Sequence, residues 1–319
     1  MATTEHSSTT PRRPLRIGNE LDIEALSLPE PSPLRWNAQK EMARLAEDAG
    51  FDSLWLPDHM FGVWDGKTVG AWECWSMLSA VAAVTERVAL GTLVLATSFR
   101  EPALLAKMAD TVDEISGGRL ILGLGAGWFE AEYRAFGFPY DHRASRFEEA
   151  FTIIRTLLRK GTIDFDGTYY QARDCELLPR GPRPHGMPIM IGTRGPRMMR
   201  LTAQHAEMWN AWVVGKSTTP SEALAKLRAD LDAACADVGR DPATLARSAA
   251  VMVHPYASPP PPLASGCDAI WGDHDAIAEK LLAYVDEGIS HLQVVLAPAT
   301  PKSLEAFAPV LEVIDRAGR

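Results

Sequence analysis

The sequence has no apolar run of about 18 residues, the length that a membrane-spanning helix needs, so no span is expected. It has no excess of positive charge either. Against 41 Asp and Glu stand 32 Lys and Arg, a net charge of −9, which excludes nucleic acid as an expected partner. Cysteine is scarce. Cys74, Cys175, Cys235 and Cys267 are scattered with no Cys-x-x-Cys spacing, as expected of reduced, non-metal thiols in a cytoplasmic protein. There is no His-x-His, no His-Glu-x-x-His, no Gly-x-Ser-x-Gly and no P-loop. These gaps argue against a metal site, a metal-dependent barrel hydrolase and a serine hydrolase. Residues 1–14 are rich in Ser and Thr and carry Arg12-Arg13, but no apolar signal core follows. They read as a disordered tail, with export the lesser alternative.

What is present is a repeating pattern of apolar strands, each ended by small or polar residues. Its centre is Gly117-Gly118-Arg119-Leu120-Ile121-Leu122-Gly123-Leu124-Gly125-Ala126-Gly127-Trp128: a helix stop, a buried strand and a glycine-rich turn. Glycines after a strand let a backbone approach a flat or phosphorylated ligand, or simply make a tight turn. Similar strands are expected at 15–23, 51–56, 88–95, 188–192, 208–213, 248–254 and 291–296, with amphipathic helices between them. Residues 61–70 read as an aromatic, glycine-rich loop. Residues 161–184 read as an extended insertion with a hairpin signal at Asp166-Gly167. Eight strands alternating with helices predict an α/β fold, a (β/α)8 TIM barrel with insertions in its βα loops, as one domain over 15–319.

In such a barrel the residues just after each strand gather at one mouth. After the second strand stand Asp58 and His59, either a helix cap beside a structural histidine or a polar pair facing a planar ligand. Histidine is the side chain best suited to exchange protons near neutral pH, so His59 is the candidate general acid or base. Thr97, Ser98 and Arg100 follow the third strand, as ligand donors or as a polar loop. After the fifth come Gly192, Thr193 and Arg194, at a helix start suited to phosphate. Arg197 and Arg200 nearby are as readily a solvated face. Trp64, Trp72, Trp75, Trp128, Trp209 and Trp212 lie in or near these loops. Some belong to the core, and others can wall a flat ligand; Trp64, Trp128 and Trp212 are the substrate-pocket candidates.

Four segments occur in order: Trp55-Leu56-Pro57-Asp58-His59; Leu90-Gly91-Thr92-Leu93-Val94 with Arg100-Glu101-Pro102-Ala103-Leu104-Leu105-Ala106-Lys107; Asp113-Glu114-Ile115-Ser116-Gly117-Gly118-Arg119-Leu120; and Gly123-Leu124-Gly125-Ala126-Gly127-Trp128. Together they resemble the bacterial luciferase-like family of flavin and deazaflavin oxidoreductases. The likeness is greatest to the branch that uses coenzyme F(420), an 8-hydroxy-5-deazaflavin. The resemblance implies a ring cofactor in the barrel mouth and a non-proline cis peptide at Leu93–Val94 beneath it. It also implies a ring contact from Asp58, a polar group at the reacting centre in His59, phosphate on the backbone of Gly192, Thr193 and Arg194, and the Gly125-Ala126-Gly127 turn beside the ribityl chain. Thr97 is a further candidate cofactor contact. A homodimer is implied as well.

Two departures stand out. Sugar-phosphate dehydrogenases of the family have Glu where this chain has Trp128, which takes away their proton donor. Many members have Gly where this chain has Met208. The leading expectation is hydride transfer between coenzyme F(420) and a small, planar or apolar organic substrate. One alternative is an FMN-dependent monooxygenase supplied with reduced flavin by a separate reductase. The other is a flavin-binding barrel without turnover, which the two departures keep open.

Overall fold

The computed structural model describes residues 13–24, 34–64, 66–213, 219–261, 263 and 268–318. Eight parallel strands close into a barrel: β1 (Arg16–Glu20), β2 (Ser53–Leu56), β3 (Ala89–Thr92), β4 (Leu120–Gly125), β5 (Ile189–Gly192), β6 (Met208–Trp212), β7 (Ala246–His254) and β8 (His291–Leu296). Each pairs with its sequence neighbour, and β8 returns to β1 with Arg16 opposite His291. The helices are α1 (Trp36–Asp48), α2 (Cys74–Ala82), α3 (Pro102–Ile115), α4 (Glu130–Phe136), α5 (Arg143–Lys160), α6 (Pro196–His205), α7 (Pro220–Asp237), α8 (His274–Asp286) and α9 (Pro301–Ala317). Polar side chains start several of them. Thr219, Asp273 and Thr300 accept from backbone N–H groups of the first turns of α7, α8 and α9, and Pro opens α7 and α9. No described helix is long and apolar enough to cross a membrane.

The expected strand at 88–95 is two pieces. β3 ends at Thr92, Leu93–Val94 is a cis peptide, and Leu95–Ala96 resumes pairing with Leu124 and Gly125. The expected loop at 61–70 is an antiparallel hairpin, Phe61–Trp64 with Lys67–Gly70. The insertion is the hairpin Thr162–Asp166 with Gln171–Glu176. Its turn begins at Gly167, where the Glu149 carboxylate of α5 accepts from the N–H groups of Thr168, Tyr169 and Tyr170. Arg13, inside the segment expected to be a tail, ion-pairs with Asp52 and Asp315 and holds the start of β1 against α9.

Apolar residues on the outer face of the strands pack on the helices, as Ile17, Leu54, Leu90, Leu122, Ile191 and Leu292 do. The inside is filled by a second cluster around Trp55, with Leu93, Ile121, Met190, Met208 and Ala250. Trp55 lies across the barrel because its neighbours are glycines. A Cβ on Gly91 would stand 2.2 Å from the indole, and one on Gly18 would stand 2.5 Å from its Nε1. The indole N–H donates to Ser53 Oγ at 2.7 Å, and that hydroxyl shares a 2.7 Å hydrogen bond with His291 Nε2. Burial, with the nearby Arg16 charge, holds the His291 imidazole well below the usual histidine range, so it is neutral. Met208, placed by its sequence in doubtful surroundings, is one more side chain of this floor, on a regular strand. Trp55→Ala removes the largest plug and is expected to cost about 3–5 kcal/mol in urea unfolding.

Candidate active site

Above the Trp55 layer, at the C-terminal ends of the strands, is a cavity of about 790 Å³. That is the size of pockets that hold drug-sized or cofactor-sized molecules. Its floor is Leu93 and Val94. The glycines around the floor have a specific use. A Cβ on Gly125 would stand 2.7 Å from Val94 Cγ2, and one on Gly192 would stand 3.0 Å from the same atom. A Cβ on Gly127, whose φ is +72°, would overlap the Tyr133 hydroxyl, which donates to Ala126 O at 2.9 Å. The space that these glycines leave is therefore taken by protein side chains rather than kept for a ligand, although the backbones of Gly125, Ala126, Gly127 and Gly192 do line the cavity.

His59 follows β2 and lines the cavity. Its Nδ1 meets Glu132 Oε2 at 3.0 Å, and Glu132 Oε1 accepts from Met60 N at 2.5 Å. Glu132 comes from α4, which the glycine-rich turn after β4 swings beneath His59. Among the described residues nothing hydrogen-bonds to His59 Nε2, so that nitrogen is the one left for a ligand. Burial alone would depress the His59 pKa. The Glu24 charge, the hydrogen bond to Glu132 and the charges of Glu132 and Asp58 outweigh it and raise it to about 9. Trp128 crosses His59 edge-on with ring centroids 5.7 Å apart, and Phe129 packs on both His59 and Phe61. An aromatic rim thus ties α4 to the Phe61–Trp64 hairpin.

Asp58, expected as a ring contact, is held from behind. Arg100 donates to both of its oxygens, Nη1 to Oδ2 at 2.8 Å and Nη2 to Oδ1 at 3.0 Å, and Ala96 N donates to Oδ2 at 3.0 Å. Arg100 also pairs with Glu73, the N-cap of α2. The reading of Arg100 as a ligand donor is thereby corrected: its guanidinium is consumed by two carboxylates. Thr97 and Ser98 are buried outside the cavity lining, in the turn that follows Ala96.

Across the barrel, Gly192, Thr193 and Arg194 line the cavity where β5 runs into α6. Trp209 Nε1 donates to Thr193 O at 2.9 Å, and Arg194 donates to Trp212 O, so β6 fixes the shape of this turn. With the N-terminal N–H groups of α6 and a guanidinium adjoining, the turn suits an anionic group such as phosphate. Arg197 instead pairs with Glu148 on the surface. Trp128 and Trp212 line the cavity and are exposed; Trp75 and Trp209 belong to the core, and Trp72 bonds Leu34 O. The Trp64 side chain lies outside the described residues.

Sequence reading missed Glu132 and the carboxylates Glu20, Asp22 and Glu24, all of which line the cavity. Burial, then the neighbouring Glu24 and Asp22 charges, push the Glu20 carboxyl well above the usual range. Burial does the same to Glu24, which lies at about 7 even though His59 pulls it down. The signal available was the spacing Glu20-x-Asp22-x-Glu24 at a strand's C-terminal end. Glu132 also changes the meaning of Trp128, because the carboxylate absent from that position enters the site four residues later.

The luciferase-like monooxygenase family model matches residues 18–259. The 5,10-methylenetetrahydromethanopterin reductase of Archaeoglobus fulgidus is 33% identical over 198 residues, which cover 62% of this chain and 55% of that protein. The pyrimidine monooxygenase RutA of Caulobacter vibrioides is 31% identical over 234 residues, which cover 70% of this chain and 64% of that protein. The chain thus matches between 55% and 64% of the length of these curated relatives. Among solved structures, an F(420)-dependent secondary alcohol dehydrogenase in complex with an F(420)-acetone adduct superposes with a TM-score of 0.78 at 18% identity, covering 94% of this chain and 99% of that one. At that identity the likeness is one of fold, and the fold is the same closed barrel. On the sequence match and the barrel together, the chain belongs to the bacterial luciferase-like family of oxidoreductases.

Proposed function

We propose that the protein exchanges hydride between coenzyme F(420) and an organic substrate held in the same cavity. The observation that carries this reading is the His59–Glu132 pair at the rim, above the Leu93–Val94 floor. A hydride exchange with a carbonyl-type or amine-type carbon is accompanied by a proton, and this pair holds one at the cavity. The likeness to the Archaeoglobus reductase and the barrel shared with the alcohol dehydrogenase support it.

The residues present fit such a coenzyme. The cavity has room for a ring and a substrate, and the β5–α6 turn offers backbone N–H groups and Arg194 to a phosphate. When bound, the deazaflavin supplies the ring carbon that carries the hydride. The chain's own part is positioning and proton handling. Glu132 fixes the His59 ring through Nδ1, and Nε2 gives or takes the substrate's proton. The Asp58–Arg100 pair holds the His59 segment against Ala96, and Trp128 and Trp212 shield the mouth from water.

The likeness to RutA favours a second reading, an FMN-dependent monooxygenase. Fluorescence titration with oxidised coenzyme F(420) and, in parallel, FMN separates the two. Tight binding of the deazaflavin, weak binding of FMN and no oxygen uptake during turnover are expected. Tight FMN binding with oxygen consumption would move the protein to the monooxygenases.

A further inference from the structure

The carboxylates of the cavity are not equivalent. Asp58 is neutralised by Arg100, and Glu132 is engaged by His59 and Met60 N. Glu20 and Glu24, at the C-terminal end of β1, are different. Each is more than nine-tenths buried, at 8% and 6% exposure, and each lines the cavity. Among the described residues Glu20 Oε2 and Glu24 Oε1 have no hydrogen-bond partner. Asp22 lies between them in sequence and lines the same wall. Among the described residues that line the cavity on this side, His59 is the one that can carry positive charge, set against Glu20, Asp22, Glu24 and Glu132. Among the described lining residues the only arginine is Arg194, which follows β5 on the far side of the barrel from β1, and there is no lysine.

A buried carboxyl oxygen without a partner is costly unless it takes up a proton or meets a cation. Glu20 and Glu24 also line the open space of the cavity, so a ligand there lies against their side chains. A phosphate or a carboxylate would be repelled at this wall and belongs at the β5–α6 turn opposite. We propose that the corner formed by Glu20 and Glu24 is a subsite for a protonated amine, so that the substrate carries a cationic nitrogen. This rests on the reading of the cavity as one that holds a substrate beside a deazaflavin. Charge and hydrogen bonding at the corner select the nitrogen, while Trp128 and the Val94 floor bound the apolar remainder.

Cation entry has a measurable partner event. In the free protein, burial, with the Glu24 and Asp22 charges, pushes the Glu20 carboxyl well above the usual range, and burial, with Asp22, Glu132 and Asp58, raises Glu24 to about 7, although His59 opposes both. An arriving ammonium reverses that balance and expels a proton.

The test is calorimetric titration of the purified chain near neutral pH with benzylamine, benzyl alcohol and benzoate, each without and with saturating coenzyme F(420). Benzylamine is expected to bind at least about tenfold more tightly than the alcohol, with benzoate weaker still. Its heat should vary with the buffer's ionisation heat as protons are released. The double variant Glu20→Gln/Glu24→Gln should bring the amine's affinity down to that of the alcohol and abolish the proton release; circular dichroism checks its fold. Asp166→Asn, at an exposed carboxylate of the insertion hairpin, should leave the amine's affinity alone. An amine that binds no better than the alcohol, keeps its affinity in the double variant, or is not bound at all overturns the proposal. So does complete displacement by the coenzyme, because the corner would then serve the cofactor. If the coenzyme itself fails to bind, the deazaflavin reading falls, and the amine selectivity measured without it still decides the subsite.

Discussion

Replacing His59 with alanine is expected to lower turnover roughly 100-fold or more while cofactor affinity stays near that of the parent. The ring's Nε2 is the free proton-carrying position at the cavity, whereas the cavity floor and the β5–α6 turn, which would hold the coenzyme, do not involve it. Stopped-flow turnover and fluorescence titration on the same preparation check both halves. Near-normal turnover with bound cofactor would remove His59 from the reaction. The pH profile is a second, finer readout. In the direction that protonates the substrate, His59 must begin as imidazolium. Its pKa, raised to about 9 chiefly by Glu24 and Glu132 against the effect of burial, places the loss of rate on the alkaline side of neutrality. Glu132→Gln removes one of the groups that raise it, so the alkaline limb should move toward neutral pH. A limb that stays in place would mean that another group sets it.

The second large effect concerns stability. Arg100→Met leaves Asp58, whose side chain is 1% exposed, without its guanidinium. Removing one partner of a buried ion pair typically costs about 3–5 kcal/mol, because the remaining charge is neither solvated nor balanced. Urea unfolding at neutral pH should show a loss of that size. Adding Asp58→Asn to Arg100→Met should recover part of the loss at neutral pH. Equal stability of Arg100→Met and the parent would show that the pair carries no net weight.

Most of the barrel could be read along the chain, because strands buried on both faces leave runs such as Leu120–Leu124 and His291–Leu296, and helices leave the spacing seen in Arg143–Lys160. The expected and observed limits of β8 coincide. The interruption after Thr92 could be read only through the family resemblance, since Leu93 and Val94 look like ordinary strand residues. The hairpin at 61–70 was hidden because Gly62, Gly66 and Gly70 suggest a loop, while its pairing depends on geometry that no local propensity records. The site divided in the same way. His59 announces itself by its chemistry and its place after a strand. The pairing of Glu132 with it spans 73 positions and depends on how the turn after Gly127 aims α4. Glu20 and Glu24 lie where a strand runs into a loop, and surface carboxylates are so common there that only their burial in the folded chain sets them apart.

The Val94 side chain rests in a niche left by Gly125 and Gly192, and this makes three positions on three different strands or strand ends heritable as a unit. Adding a methyl at either glycine alone should crowd the isopropyl group and raise or tilt the cavity floor. The same methyl introduced together with Val94→Ala should be tolerated, so the combined change is milder than the sum of its parts. A lineage could then reshape the bed on which a ring cofactor lies only by passing through paired changes, and relatives with a different residue at the position of Val94 should differ at the glycines too. On this packing the depth of the cavity is expected to covary among related barrels, guarded against single-step drift by the fit of one valine.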